Sequence, residues 1–235
     1  MRDQLMEVDF ADSVPWVYHP LDYAWRAHAE YIRRFGASTK RVLFVGMNPG
    51  PWGMVQTGVP FGEVAVVRDW LGINDGVSFP SSTHPRRPID GFLCKRSEVS
   101  GRRFWGMFQG VFKSPEKFFE EHFVVNYCPV AFMEETGRNV TPDKLAKPMR
   151  ETIEEICNEH LCGLIKLFEP QWIVGVGGFA EKCASACVNC LADQGVVQLP
   201  QVGKMLHPSP ASPAANRDWE SQASQQLFDQ EIWSK

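Results

Sequence analysis

The sequence predicts an α/β domain with a mostly parallel central sheet and helices on both faces, and two observations carry that prediction. Short apolar, β-branched runs at 42–45 (VLFV), 123–125 (FVV) and within 171–178 (QWIVGVGG) break off abruptly in glycine or asparagine. Segments with helical spacing of apolar residues alternate with them along the 235 residues. Strands that are apolar throughout belong to sheets covered on both faces, and strand–helix alternation is the pattern of parallel crossovers.

In chain order, residues 20–35 (PLDYAWRAHAEYIRRF) place Leu21, Trp25, Ala29 and Ile32 at helical spacing and end at Gly36, which predicts an amphipathic helix packed on the sheet. The run Val42 to Val45 is the first strand. It delivers a stiff loop in which Gly46, Gly50, Gly53, Gly58 and Gly62 are interleaved with Pro49, Pro51 and Pro60. From Glu63, EVAVVRDWLGI sets Val64, Val67 and Leu71 on one side of a crossover helix that stops at Gly72. Residues 74–100 show little periodicity and read as a long surface excursion.

Helical spacing returns at 101–121 through Phe104, Phe108, Val111 and Phe112, with Ser114-Pro115 as cap and first-turn proline of a further short helix. The strand at 123–125 ends at Asn126, and Thr141-Pro142 and Lys147-Pro148 open helices, the second running through Ile153, Leu161 and Leu167 to Pro170. QWIVGVGG is the third buried strand, feeding a helix from about Phe179 to Ala192. Val196–Leu199 and Val202–Leu206 are weaker strand candidates, and a polar helix from Ala214 to about Ile232 closes the chain.

Composition bounds the function. One domain spanning 1–235, with a peripheral segment at 1–20, fits the length. With 44% hydrophobic and 22% charged residues and no apolar run near the roughly 20 residues that span a bilayer, no membrane partner is expected. The acidic start MRDQLMEVDF lacks the apolar core of a signal peptide, so the expectation is an intracellular protein: cytoplasm or nucleoid in a bacterium, nucleus in a eukaryote. A net charge of −4 argues against a non-specific, histone-like DNA coat. Positive charge nevertheless gathers at Arg86, Arg87, Lys95, Arg96, Arg102 and Arg103, a stretch read as surface loop that is either a solvated face or a phosphate contact.

The seven cysteines lack the spacing of a disulfide scaffold. Cys183, Cys187 and Cys190 resemble an iron–sulfur ligand set, but their i, i+4, i+7 positions on a helix favour core packing, and no zinc pattern is present. No metal or cofactor is expected. The glycine loop suggests a phosphate cradle, yet it contains neither GxGxxG nor GxxxxGK[ST], and the later GVGG lacks the third glycine of a dinucleotide turn.

Asn48, Asn126 and His207 each stand just after a predicted strand, in a setting of glycine or proline. In an open parallel sheet such positions converge on one edge, where ligands bind. Singly, each is better explained structurally, an Asn as a turn former or cap and a His as part of its loop; only their conjunction points to a site.

GMNPGPWGMVQTGVPFG at 46–62, NYCP at 126–129 and HPSPASPAANRDW at 207–219 together resemble the single-strand-selective monofunctional uracil-DNA glycosylases, a branch of the uracil-DNA glycosylase superfamily. The resemblance extends from about Asp22 to the C-terminal helix. It implies a three-layer α/β/α domain around a four-stranded sheet, and a DNA repair enzyme that flips uracil, and 5-substituted uracils such as 5-hydroxymethyluracil, out of single- or double-stranded DNA and hydrolyses the N-glycosidic bond. By motif position it makes Asn48 the residue that positions the attacking water and His207 the donor to uracil O2. Asn126 reads the base edge, Phe61 stacks on the ring, and Met47 and Gly50 complete the pocket wall.

The residue types suit this chemistry. A departing uracil anion calls for fixed hydrogen-bond donors, and an Asn orients water but is a poor general base. No lysine stands in the three motifs, so Schiff-base strand cleavage is not expected. The loop Pro208, Ser209, Pro210, Ala211 and Ser212 is the implied wedge into duplex DNA. Family members commonly carry Arg where Ala211 stands, which implies weaker duplex activity or faster product release here. A monomer without an obligate protein partner is expected. The alternative is a catalytically silent DNA- or base-binding module of the same fold.

Overall fold

A computed structural model describes residues 1–10 and 14–234. Leu5 of helix α1 (Arg2–Met6) is buried in the main core, and strand β1 (Trp16–Tyr18) is followed by α2 (Pro20–Tyr23) and α3 (Trp25–Phe35). The expected single helix over 20–35 is thus interrupted at Ala24. The buried face of α3 is Ala27, Tyr31 and Phe35, while Trp25 and Ile32 are each 41% exposed. Tyr31 explains the rotation: its hydroxyl donates to the carbonyl of Val124 at 2.9 Å and its ring stacks on Phe123, which docks that face onto the sheet.

Strand β2 (Val42–Gly46) is buried at every position. The loop beyond it contains one helical turn, α4 (Met54–Thr57), and leads into α5 (Val64–Asp69), whose Val64 and Val67 are buried as predicted. After the excursion come α6 (Val99–Phe112) and α7 (Pro115–Glu121), the latter capped by Ser114 Oγ accepting from Lys117 N–H. Phe104 and Phe108 are buried, whereas Val111 is exposed. Arg102 and Arg103, grouped above with the basic loop, lie on α6, in the stretch where helical spacing is predicted.

The remaining elements are β3 (His122–Asn126), β4 (Ala131–Met133), β5 (Asn139–Val140), α8 (Lys147–Phe168), β6 (Trp172–Val176), α9 (Gly178–Asp193), β7 (Gln201–Met205) and α10 (Trp219–Asp229). Four expectations are corrected. Thr141-Pro142 opens one 3-10 turn only, Val196–Leu199 is not a strand, and the last helix begins at Trp219 because turns occupy 214–218. Leu167, on the face read as apolar, is exposed at the end of α8.

The four strands run in the order β3-β2-β6-β7, all parallel. Gly46 lies opposite Asn126 in register, so the first and second motifs meet at one edge. A second, antiparallel sheet, β1-β4-β5, pairs Trp16 with Met133 and Phe132 with Val140. Strands of two or three residues carry too little periodicity to read from sequence. Through this sheet and through Leu5, Phe10 and Val14, all buried in the main core, the described parts of 1–20 are integrated and not peripheral.

His122 shows what a structural histidine looks like in this chain. Its Nδ1 donates to the Phe118 carbonyl at 2.9 Å, its Nε2 accepts from Trp233 Nε1 at 3.2 Å, and burial pulls its pKa down to about 4. Both ring nitrogens are used, which leaves none for chemistry.

Candidate active site

A cleft of about 350 Å³ opens at the carboxyl edge of the parallel sheet, and Met47, Asn48, Gly50, Phe61, Asn126 and His207 all line it. The parallel ladder places them. Beyond the paired strands, Tyr127 N–H donates to the Gly46 carbonyl at 2.8 Å and Cys128 N–H to the Met47 carbonyl at 2.9 Å, which fixes the chain on both sides of Asn48. The Asn48 Nδ2 makes a long contact, 3.5 Å, with the Val130 carbonyl. Its Oδ1 accepts from no described residue and is left for a ligand or water.

Asn126 and Phe61 share the space above Gly46. A Cβ added at Gly46 would overlap Asn126 Oδ1 and come within 2.7 Å of the Phe61 ring, so this glycine is set by close approach. Asn126 is buried, with Nδ2 3.1 Å from Met54 Sδ, a weak acceptor that a better one can displace. Phe61 sits at φ +51°, in the left-handed region that a bulky side chain rarely adopts. Such strain persists only where the surroundings hold it. Here they do: Phe104 stacks on one face of the ring at 4.2 Å and 12°, and Gly101, on α6, lacks the Cβ that would collide with the Phe61 carbonyl. With that face covered, a planar ligand has only the opposite face to lie against.

His207 stands two residues beyond β7, against Gly177, whose φ of +90° and missing side chain admit the ring. Burial lowers its pKa to about 4, so it is neutral at pH 7. The Ser209 N–H donates to Nδ1 at 3.1 Å, which puts the ring proton on Nε2. The imidazole therefore presents a fixed neutral donor, in contrast to His122. From the sequence, neutral and cationic forms are equally open.

The loop after His207 is pre-formed. Arg103 reaches from α6 to the Pro208 carbonyl at 3.1 Å and to Asn216 Oδ1 at 2.9 Å, and Asn216 Nδ2 donates to the Pro210 carbonyl at 2.8 Å. Ser209 Oγ accepts from Ala211 N–H at 3.2 Å and the Ser209 carbonyl from Ser212 N–H at 3.0 Å. Ser209 and Pro210 line the cleft, while Ala211 is exposed at the tip. Arg103, read from sequence as part of a basic loop, is an anchor of this segment.

Two cleft residues carry no signal in the three motifs. Glu98 stands at the N-cap position of α6 without capping it, and places its carboxyl where side chains at Gly50 and Gly53 would otherwise be. Burial raises its pKa to about 7; the nearby Trp52 and Gly53 N–H groups pull the other way, and the charge of Glu63 adds to the rise. Asn139 comes from β5. Among the described residues, Glu98 Oε2 and Asn139 Oδ1 are buried without a hydrogen-bond partner, surplus capacity open to a polar ligand. A helix beginning at 99 instead of 101 would have drawn attention to Glu98; the two-residue strand of Asn139 gives no such signal.

A family model described as the uracil DNA glycosylase superfamily matches residues 33–233, and the chain belongs to that superfamily. Within it, the chain is 45% identical over 227 residues to a Bos taurus protein named single-strand selective monofunctional uracil DNA glycosylase, covering 97% of this chain and 82% of that one. A Rattus norvegicus protein of the same name is 46% identical, over 97% of this chain and 80% of the relative. Among solved structures, Pedobacter heparinus SMUG2 superposes with a TM-score of 0.65 over 98% of this chain and 97% of that one; at 15% identity this speaks for the fold. The resemblance read from the three motifs, and the α/β fold it implied, are borne out.

Proposed function

We propose that this protein is a monofunctional uracil-DNA glycosylase that extrudes uracil from DNA and hydrolyses its N-glycosidic bond, leaving an abasic site. One observation carries the reading: Asn48, Phe61, Asn126 and a neutral His207 with its proton on Nε2 converge on one cleft in a member of this superfamily.

The base lies on the open face of Phe61, opposite Phe104. Asn126 exchanges its poor sulfur contact for the base edge, accepting from N3–H and donating to O4, a pattern that cytosine cannot match. As the C1′–N1 bond lengthens, charge collects on the leaving uracil, and His207 Nε2–H donates to O2 without first having to lose a proton. Asn48 Oδ1 accepts from the water that attacks the sugar. Because an amide takes up no proton, Asn48 only orients the water, whose proton ends on the departing uracil anion, and the reaction leans on leaving-group stabilisation. Glu98, seated against Gly50 and Gly53, fixes the loop that carries Asn48. The same reading extends to 5-substituted uracils such as 5-hydroxymethyluracil, to both single- and double-stranded DNA, and to a monomer as the working unit.

The test is a uracil-containing single-stranded oligonucleotide, incubated with protein, treated with alkali and resolved on a gel. Wild type yields an alkali-labile product; His207→Ala reduces the rate by about 10²–10³-fold, the range for removal of one positioned transition-state donor, and Asn48→Ala, which removes the group that orients the water, also lowers it. Binding without product would instead identify a silent base-binding module. A panel with 5-hydroxymethyluracil in single strands and duplexes decides the wider substrate range.

A further inference from the structure

Resting on the glycosylase reading, we infer that a second, cationic groove next to the cleft carries the phosphodiester backbone of the DNA strand from which the base is extruded. The groove, about 600 Å³, is lined by Trp52, Arg86, Arg87, Lys95 and Arg96, with Asp90 as its acidic residue. Trp52 also lines the cleft, so the two concavities meet at that side chain. A strand whose nucleotide enters the cleft has its neighbouring phosphates at this boundary.

The charge is available for a ligand. Among the described residues, none of Arg86, Arg87, Lys95 and Arg96 forms an ion pair with a carboxylate. Two are instead oriented by an aromatic ring: the guanidinium carbons of Arg96 and Arg87 lie 4.7 and 5.3 Å from the centre of the Trp52 ring. A ring face holds a cation in place without neutralising it. The chain as a whole carries a net −4, so four cations around one groove are not a reflection of its composition. Arg87 also has a buried Nε with no acceptor among the described residues.

The groove is rigid although its walls come from the irregular 74–98 excursion. Buried Gln56, on α4 of the catalytic loop, donates to the Pro88 and Pro51 carbonyls at 2.9 and 3.0 Å and accepts from Asp90 and Gly91 N–H at 2.8 and 3.1 Å. Three of the four hydrogen bonds of one side chain thus tie the excursion to the glycine loop, and the fourth, to Pro51, braces that loop itself. On the other side the Tyr18 hydroxyl donates to the Arg87 carbonyl at 2.7 Å, and His84, accepting from Arg86 N–H at 3.0 Å, donates to the Glu135 carbonyl at 3.0 Å. Pre-positioned cations beside an aromatic ring are the arrangement that tracks a single strand.

The experiment measures binding of a uracil-free single strand by fluorescence anisotropy over a salt series, in parallel with excision kinetics on the uracil-containing strand. Lys95→Gln/Arg96→Gln is compared with wild type and with Lys166→Gln, an exposed cation on α8 outside the groove. The double variant is expected to bind more weakly, with a slope of log affinity against log salt shallower by about 0.7 for each phosphate that is no longer neutralised, and to raise KM with little change in kcat. Lys166→Gln should move the slope far less. An unchanged slope in the double variant, the result expected if the groove serves an acidic protein, overturns the inference. So does an equal change in Lys166→Gln, which would signify diffuse attraction. Absence of excision by wild type refutes the glycosylase reading but leaves the binding slopes to decide the groove.

Discussion

The loop from Gly46 to Gly62 and the loop from His207 to Ser212 both leave strand ends, both are rich in proline and both line the same cleft, yet they are fixed by opposite means. The first is buried throughout from Gly53 to Gly62 and is shaped by what presses on its glycines: Asn126 and Phe61 on Gly46, Glu98 on Gly50 and Gly53. The second is exposed at Pro210 and Ala211 and is held at its base by hydrogen bonds from Arg103 and Asn216. A loop fixed by contact responds to added volume; a loop fixed by a few polar anchors responds to their loss and tolerates change at its tip.

The largest effect is therefore expected at Gly46. In Gly46→Ala the new methyl overlaps Asn126 Oδ1 and presses on Phe61, and both neighbours are buried and cannot yield cheaply. Overpacking of this kind costs about 1–3 kcal/mol, and displacing recognition groups by about 1 Å is expected to lower kcat/KM about 10²-fold. Thermal melting with steady-state excision on single-stranded uracil DNA measures both. Near-wild-type values would mean that the floor of the cleft is more compliant than its packing implies.

Next comes the carboxyl that fills the notch at Gly50 and Gly53. Glu98 binds its proton more tightly in the fold, at about 7, than at the ordinary 4.5 of the unfolded chain. Its contribution is complete below pH 4.5 and is lost as the pH rises to 7, an effect of up to about 3 kcal/mol. His207 and His122, both depressed to about 4, act with the opposite sign, losing stability as the pH falls below 6.5. The diagnostic is thus the difference between wild type and Glu98→Gln. Denaturant titrations between pH 5 and 8 should show wild type losing stability relative to the variant as the pH rises, and parallel curves would remove Glu98 from the account.

For the second loop, Arg103→Ala deletes the anchors at the Pro208 carbonyl and Asn216. Hydrogen bonds from a charged donor are worth about 1.5–3 kcal/mol when buried and less here, where Arg103 is half-buried. The expected signature is a Tm lower by a few degrees and a larger fall in kcat/KM on duplex than on single strands, because a loosened wedge matters most where stacking must be broken.

The same contrast explains what the sequence disclosed. The three parallel strands ending at Gly46, Asn126 and Val176 were legible because they are mostly apolar and buried; Asn48 and Asn126 stood out at the ends of two of them and His207 beyond the weaker candidate at 202–206. The glycines were visible, but not their reason, since Glu98, Phe104 and Gly101 press on that loop from a helix distant in sequence. The strands at 16–18, 131–133 and 139–140 are too short to show a period, and with them Asn139 was missed. The basic stretch was seen as one feature; the structure divides it into Arg103, which holds the wedge, and the cations around Trp52, a division set by where α6 begins.

The smallest effect is expected at the tip itself. Ala211 is exposed, its N–H is already satisfied by Ser209 Oγ, and the neighbouring Pro210 carbonyl is taken by Asn216, so Ala211→Arg lengthens the side chain without disturbing the loop. Stability should stay within about 0.5 kcal/mol of wild type, as for an exposed substitution that touches no anchor. The added cation reaches past the tip, where it can enter the stack or pair with a phosphate of the abasic product. Cleavage of uracil in duplex DNA should rise a few-fold, product affinity should rise with it and turnover under excess substrate should slow, while single-strand cleavage stays as in wild type. Equal duplex rates and equal product affinity in the two proteins would show that the pre-formed proline loop, and not the residue at its tip, sets how well this enzyme opens a duplex.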